Sequence, residues 1–297
     1  MSDSTTTSRG AAWGVWLTTP ALFVVAVIIA FGGGSQIRPL WDSIPILITG
    51  WAFAVNIVAW VPAWLNRSER FYDAVGSITF ISSILIIGIM TPDLGARVLV
   101  MLSCVGLWSL RMGYFLITRI RKAGQDGRFD DFKKHPIRFL NVWAMQALWA
   151  VLCLAPVLAL ADGSPAAGLD IWALVGLALW VGGFLVEVVA DQQKRTFRDN
   201  PANQGRFIQT GLWAISRHPN YLGEIMLWAG LSVIAFPLLM GWQLITLISP
   251  VFVYILLTRI SGIPLLEERA DARWGGQSDY ETYKRDTPVL IPFTKGG

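Results

Sequence analysis

Long apolar stretches separated by short polar links dominate the chain from residue 13 onward. An α-helix needs about 20 predominantly apolar residues to cross a bilayer, and eight stretches approach that length. The seventh is short and the third is broken by small residues, so the count ranges from seven to nine. The pattern predicts an all-α fold, a polytopic integral membrane helical bundle with about eight transmembrane helices. The stretches are 13–31, 44–65, 74–91, 96–118, 139–161, 169–190, 219–236 and 239–261.

Composition and charge agree with a membrane protein. Hydrophobic residues make up 54% of the chain and charged residues 15%, whereas a soluble domain carries about 25% charged residues. The 15 Trp residues fit the aromatic belts of membrane interfaces. Basic residues concentrate in the links after the second, fourth, sixth and eighth stretches, while the opposite links hold only Arg38 and Arg97. The positive-inside rule therefore predicts that both termini are cytoplasmic.

Several site classes are excluded by what the sequence lacks. Cys104 and Cys153 both lie in apolar runs, which argues against a disulfide framework. No Cys/His cluster has zinc spacing, so we expect no metal site. Neither a Gly-x-Gly-x-x-Gly pattern nor a Walker loop occurs, so a bound nucleotide would not rest on a Rossmann or P-loop scaffold. The first apolar run lacks a clean cleavage site and is interpreted as a retained span.

The most informative polar segment is Ser216–Glu224, Ser-Arg-His-Pro-Asn-Tyr-Leu-Gly-Glu, which opens an apolar stretch. Ionisable groups near hydrocarbon cost a few kcal/mol each, so these side chains need partners. Pro219 suits a first helical turn, and spacings of three and four predict that positions 217, 220 and 224 share one helical stripe. Because a helix N-terminus attracts anions, we expect an anionic ligand here. The candidate binding residues are Arg217, His218, Asn220, Tyr221 and Glu224.

The end of the sixth stretch carries a second charged stripe. Positions 187, 191, 194 and 198 are Glu, Asp, Lys and Arg, with the acids at the buried end and the bases at the outer end. The link then continues to Arg206. One interpretation is a structural ion-pair network that caps two helices. The other is a pocket for a polyanion such as a dinucleotide, because arginine contacts phosphate in a bidentate manner.

Arg111 and Asn56 are two of the polar side chains that lie inside apolar stretches. Arg111, in the fourth stretch, requires an internal partner or a water-filled cavity, unless its side chain extends to the interface. Asn56, in the middle of the second stretch, is expected to hydrogen-bond between helices.

Polar and aromatic residues mark two further positions. Tyr72 and Asp73 start the third stretch and could polarise a carbonyl or deliver a proton, although Asp73 could also be a helix N-cap. Tyr280 and Tyr283 are three residues apart, so they share a helix face and could stack on a nucleobase. The alternative for both tyrosines is anchoring at the membrane interface.

Together with Gln209-Thr210-Gly211-Leu212-Trp213, the Ser216–Glu224 segment resembles the signature of the membrane steroid 5-alpha-reductase superfamily, in particular its bacterial multi-span branch. The resemblance covers about 69–297. It implies a helical bundle that opens to the cytoplasm, holds NADPH and takes a lipophilic substrate from the bilayer. It also implies a bacterial inner (plasma) membrane. We accordingly expect a cytoplasmic tail at 1–12, two N-terminal transmembrane helices at 13–65 and a steroid-reductase-like membrane domain with a cytoplasmic cofactor pocket at 66–297.

The resemblance also implies site residues. In the steroid reductases a Gln-Glu pair and a Tyr hold the substrate carbonyl, and Asp73-Ala74 and Trp108 occupy those positions here. Tyr72, Asp73 and Tyr114 are therefore the candidate catalytic residues. The cofactor-pocket positions are matched by Arg111, Asp191, Arg198, Arg206, Asn220, Glu224 and Arg259.

The leading functional hypothesis is an NADPH-dependent reductase of an activated C=C bond, an enone, in a lipophilic and steroid-like substrate. The first alternative is an S-adenosylmethionine-dependent methyltransferase, since isoprenylcysteine carboxyl methyltransferases carry a looser version of the same segment. A related version of the segment occurs in sterol C14 reductases. The abundant arginines favour a cofactor with phosphates. The second alternative is a non-enzymatic lipid-binding protein, which ionisable groups on three spans oppose. The expected partners are a lipophilic small molecule and membrane lipids but no nucleic acid.

Overall fold

The computed structural model describes residues 6–34, 42–91, 93–123, 129–163 and 167–294, with the side chains of 6–17 and 119–123 outside the description. Within these ranges the regular elements are helical. Short 3₁₀ turns at 132–134, 201–203, 211–214, 236–238 and 241–247 and a π-helical turn at Leu256–Ile260 lie between the α-helices. The α-helices are α1 (Thr6–Gly33), α2 (Ile44–Leu65), α3 (Tyr72–Met90), α4 (Ala96–Ala123), α5 (Pro136–Ala161), α6 (Ile171–Asp199), α7 (Pro219–Ala235), α8 (Ile248–Ile255), α9 (Ile263–Trp274) and α10 (Ser278–Asp286).

Seven helical segments of the described chain are long and apolar enough to span a membrane. The count lies within the predicted range, so the all-α, multi-pass class is confirmed. An eighth apolar helix, Thr18–Gly33, is shorter over its described residues. The seven segments are Ile44–Leu65, Tyr72–Met90, Ala96–Thr118, Pro136–Ala161, Ile171–Asp199, Pro219–Leu238 and Gly241–Trp274.

The chain divides into two compact units. The first comprises Met1–Leu169 and Ala235–Leu247, and the second comprises Asp170–Ile234 and Ile248–Gly297. In the first unit, α5 contacts α1, α2, α3 and α4, and its residues from 150 to 161 are all buried. This helix is therefore the core of its unit.

A polar network joins three helices inside the first unit. The Asn56 amide of α2 donates to Thr79 Oγ1 of α3 over 3.2 Å, and the Gln146 amide of α5 donates to Asn56 Oδ1 over 3.0 Å. Gln146 Nε2 also donates to the carbonyl oxygen of Tyr72 over 3.1 Å. The predicted interhelical role of Asn56 is confirmed, because its side chain pairs with both neighbouring helices.

In the second unit, glycines bring α6 and α7 into backbone contact. A Cβ atom placed on Gly183 would lie 2.6 Å from the carbonyl oxygen of Gly223, and one placed on Gly176 would lie 2.6 Å from that of Gly230. On each helix the two glycines are seven residues apart, which is about two turns, so the same contact occurs twice. Small residues permit this close approach, which stabilises helix pairs in membranes through van der Waals contact. The glycine contacts fix the packing of α6 on the helix that carries the Ser216–Glu224 segment.

Candidate functional site

The Ser216–Glu224 segment forms a turn followed by the start of α7. Pro219 is the first helical residue, as predicted. The prediction that Arg217 shares a helical stripe with positions 220 and 224 is wrong, because the helix begins after it. The Arg217 N–H instead donates to the carbonyl oxygen of Pro288 over 2.9 Å. Ser216 Oγ donates to the carbonyl oxygen of Leu290 over 2.8 Å, so the C-terminal segment holds this turn in place.

Two ionisable side chains of the turn are buried against one carboxylate. Arg217 is 7% exposed and His218 is 5% exposed. Arg217 Nη1 lies 2.9 Å from Glu267 Oε2, an ion pair that is not aligned as a hydrogen bond, and His218 Nε2 lies 2.7 Å from Glu267 Oε1. Glu267 is not among the predicted site residues, because its place in a charged run after Leu266 gives no indication that it contacts a distant turn. This carboxylate compensates the charge of the buried guanidinium.

Three polar atoms of this cluster lack a hydrogen-bond partner among the described residues. They are Arg217 Nε, Arg217 Nη1, which has only the ion pair with Glu267, and His218 Nδ1, all shielded from solvent. Burial lowers the pKa of His218, and its hydrogen bond with Glu267 opposes only part of that effect. A neutral His218 that donates from Nε2 leaves Nδ1 as an acceptor. A buried donor and a buried acceptor therefore remain unfilled on neighbouring residues, which is uncommon in folded proteins.

Aromatic side chains from α10 pack against Phe207. The ring centroids of Tyr280 and Tyr283 each lie 5.3 Å from that of Phe207. Tyr283 donates its hydroxyl to the carbonyl oxygen of Trp213 over 2.7 Å, and Tyr280 donates its hydroxyl to Asp271 Oδ1 over 2.8 Å. Burial is the main cause of a raised pKa for both phenols. Both tyrosines are thus engaged by protein groups, and their stacking on a nucleobase stays a prediction.

The charged stripe at the end of α6 has the predicted gradient. Glu187 and Asp191 are buried, whereas Arg198 at the end of the helix is exposed. Between them, Lys194 places its Nζ atom 4.2 Å from the ring centroid of Trp213, a cation–π contact. Arg206, in the following link, is also exposed.

The remaining cofactor candidates of the second unit occupy α7 and the π-helical turn. The Tyr221 ring stacks on the His218 ring with a centroid separation of 5.7 Å and an interplanar angle of 11°. Glu224 is buried and Asn220 is partly exposed. Arg259 is exposed in the last turn of Leu256–Ile260.

The candidate catalytic residues belong to the first unit. Tyr72 donates its hydroxyl to the carbonyl oxygen of Val142 over 3.2 Å. The N-cap alternative for Asp73 is wrong, because Phe71 holds that position and Asp73 lies in the first turn of α3. Tyr114 on α4 is 69% exposed.

Arg111 also belongs to the first unit, on α4. Its guanidinium carbon lies 5.4 Å from the ring centroid of Phe115, one turn further along the same helix. The side chain is partly exposed. This aromatic contact provides part of the local environment that a charged side chain in an apolar stretch requires.

Comparisons with known proteins place the chain in a family. A family model described as "Protein of unknown function (DUF1295)" matches residues 59–287. An uncharacterized protein of Schizosaccharomyces pombe is 24% identical over 248 residues, which cover 71% of each chain. The 3-oxo-5-alpha-steroid 4-dehydrogenase 1 of Macaca fascicularis is 30% identical over 121 residues, so the chain spans only 40% of that relative's length. No solved structure matches. Because the family model covers well over half of the chain, this multi-pass membrane protein belongs to the DUF1295 family.

Proposed function

We propose that the chain is an NADPH-dependent reductase of an activated C=C bond in a lipophilic substrate. The observation that carries the proposal is the buried turn before α7, where Arg217 Nε and His218 Nδ1 have unfilled hydrogen-bonding capacity. The partial similarity to 3-oxo-5-alpha-steroid 4-dehydrogenase 1 of Macaca fascicularis supports the reaction class.

The chemistry of the buried turn fits a phosphate-bearing cofactor. A guanidinium presents several N–H donors in a plane, a geometry that matches phosphate oxygens. Arg217 also lies two residues before Pro219, the first residue of α7, and free N–H groups at a helix N-terminus favour an anion. Arg198 and Arg206, exposed in the same unit, add positive charge. S-adenosylmethionine is cationic at sulfur and has no phosphate, so arginine side chains would not favour its binding.

The protein residues have separate tasks in this proposal. Glu267 orients Arg217 and His218, so that their unfilled atoms are fixed before a ligand arrives. The chemistry that bound NADPH would supply is a hydride for the carbon beta to the carbonyl, and a proton added at the alpha carbon would complete the reduction. Asp73, in its protonated form, would donate a hydrogen bond to the substrate carbonyl oxygen, where negative charge develops, the role that oxyanion-stabilising groups have in related chemistry.

A ligand comparison on the purified chain tests the proposal. Thermal unfolding is measured with NADPH, NADH and S-adenosylmethionine. A ligand at a hundredfold its dissociation constant adds about 2.7 kcal/mol to the free energy of unfolding. We expect NADPH to raise the melting temperature most, because its extra phosphate meets an arginine-rich unit. If only S-adenosylmethionine raised the melting temperature, the methyltransferase hypothesis would replace the reductase hypothesis.

Activity provides the second part of the test. Absorbance of NADPH is followed after addition of lipophilic enones, steroids among them. We expect oxidation that depends on the enone in the wild-type protein and a loss of NADPH binding in Arg217→Gln. If NADPH binds but no enone causes its oxidation, the proposed cofactor would stand and the proposed reaction would be contradicted.

A further inference from the structure

The turn between α2 and α3 ends the first of these helices in a Schellman motif. The N–H of Ser68 donates to the carbonyl oxygen of Ala63 over 2.9 Å, and the N–H of Arg67 donates to that of Trp64 over 3.1 Å. These are the two hydrogen bonds that define the motif. The motif requires a left-handed conformation at the residue directly after the C-cap Asn66, and Arg67 adopts it with φ of 46°.

An arginine at this position is unexpected on backbone grounds. Glycine is the usual residue here, because a Cβ atom makes the left-handed region unfavourable. Arg67 therefore keeps the backbone in a strained conformation. Backbone strain of this kind clusters at functional sites, so the presence of an arginine side chain at this position suggests that the guanidinium has a function.

The same turn lines an open cleft of about 440 Å³. This volume falls within the roughly 300–1,000 Å³ of small-molecule sites. Arg67, Arg70 and Lys133 contribute three cationic side chains and Glu69 contributes one carboxylate. Within the described residues, the exposed Arg67 side chain makes neither an ion pair nor a hydrogen bond.

One wall of the cleft is fixed by a buried ion pair. Lys133 Nζ lies 2.7 Å from Glu69 Oε2, and Glu69 is only 4% exposed. Lys133 Nζ also lies 3.0 Å from Asp130 Oδ1. The cleft therefore has a preformed wall, while the guanidinium of Arg67 forms no ion pair among the described residues.

The cleft lies where two candidate membrane spans end. The span of α2 finishes at Leu65 and that of α3 begins at Tyr72. Leu65 is 74% exposed and Phe71 is 68% exposed. A cationic cleft flanked by exposed apolar side chains at a span boundary is complementary to an anionic lipid. The cationic groups match its headgroup and the apolar side chains match its acyl chains.

We propose that this cleft binds the phosphate group of an anionic phospholipid, with the acyl chains against Leu65 and Phe71. Arg67 supplies charge-assisted hydrogen bonds to the phosphate oxygens, a contact for which the planar guanidinium is well shaped. Arg70 adds positive charge at the same cleft. A soluble phosphate shares the recognition chemistry but lacks the acyl chains, and the two sources are separated by experiment.

The experiment measures binding to the purified full-length chain in a neutral detergent by native mass spectrometry. Dissociation constants are compared for phosphatidylglycerol, phosphatidylcholine and inorganic phosphate. We expect phosphatidylglycerol to bind at least about tenfold more tightly than phosphatidylcholine. Arg67→Gly should weaken phosphatidylglycerol binding about tenfold, the effect of losing one charge-assisted hydrogen bond, without lowering the melting temperature, because glycine relieves the backbone strain.

Control variants make the result specific. Lys134→Gln removes one exposed positive charge next in sequence to Lys133 but outside the cleft lining, and should leave binding unchanged. Arg67→Asn, a second charge-free variant that tolerates the left-handed conformation, should match Arg67→Gly. Unchanged affinity in both Arg67 variants would overturn the proposal. Inorganic phosphate that binds as tightly as phosphatidylglycerol would overturn the lipid as the source.

Discussion

His218 Nε2 lies 2.7 Å from Glu267 Oε1, although 49 residues separate the two in sequence. The second oxygen of the same carboxylate lies 2.9 Å from Arg217 Nη1. One acidic group on α9 therefore positions two consecutive side chains of the turn before α7. The proposed cofactor site depends on this long-range contact as much as on the segment that carries the recognisable sequence.

Glu267→Gln should weaken the turn before α7. The substitution leaves the Arg217 guanidinium buried without its compensating charge, which should cost about 1–3 kcal/mol of the free energy of unfolding. Thermal and denaturant unfolding measure the loss. Glu268→Gln is the matched control, since its side chain is exposed on the same helix. Equal stability of the two variants would contradict a structural role for the Glu267 contacts.

Stability should fall as the pH is lowered, because burial lowers the pKa of His218 in the folded protein. Above the unfolded value of about 6.5, the imidazole is neutral in both states and its contribution is fully present. Below it, the unfolded chain binds the proton first, so the free energy of unfolding decreases until the folded protein titrates as well. Melting temperatures between about pH 8 and about pH 5 should show a shallower slope for His218→Gln. An identical slope would assign the pH dependence to other groups.

Arg198→Ala and Arg206→Ala should each weaken NADPH binding. If the arginines contact phosphates, each loss should be about 1.5–3 kcal/mol, the scale of a charge-assisted hydrogen bond. Isothermal titration measures the affinity, and melting temperature reports folding separately. Arg285→Ala, which removes an exposed arginine paired with Asp286, serves as the control. Retained affinity together with lower stability would favour the ion-pair network.

Asp73→Asn should retain NADPH binding and abolish enone reduction, because it removes the carboxyl group assigned to the substrate carbonyl. Cofactor affinity and enone-dependent NADPH oxidation are measured on the same preparation. Tyr72→Phe should behave similarly in activity but also lose about 1 kcal/mol of stability, since its hydroxyl donates to Val142. Full activity of both variants would move the search to Tyr114.

Gly183→Ala should destabilise the pair of helices α6 and α7. The new methyl group would meet the carbonyl oxygen of Gly223 at 2.6 Å, and such overpacking costs about 1–3 kcal/mol. Gly182→Ala is a close control, because its nearest neighbour is the flexible end of Met226 at 3.8 Å. Unfolding should show a loss for the first variant and none for the second. A similar loss for both would indicate a general intolerance of α6 to substitution.

The membrane helices could be predicted from the sequence because bilayer thickness dictates the length of an apolar run. Their polar ends could not be predicted equally well. The sixth apolar stretch ends at 190, yet α6 continues to Asp199, since charged residues outside hydrocarbon still form helix. In the same way, α4 continues past its predicted end at 118 to Ala123. Hydropathy identifies the part of a helix that crosses the bilayer and not the whole helix.

The candidate site was predicted in part. Arg217 and His218 stood out because ionisable groups at the start of an apolar helix are costly. Glu267 was not predicted, because a short charged run usually marks a solvated surface, whereas the contacts of this partly exposed carboxylate with Arg217 and His218 are tertiary. The left-handed conformation of Arg67 was equally hidden, since a Schellman motif depends on backbone hydrogen bonds and the sequence shows no glycine there.

The glycine contacts between α6 and α7 also determine how a ligand can reach the second unit. Where two helix backbones meet at Gly176–Gly230 and at Gly183–Gly223, no space remains for an acyl chain or a sterol ring. Lateral passage between these two helices is therefore closed over at least two turns. A molecule that reaches Arg217 therefore does so by a route other than the seam between α6 and α7.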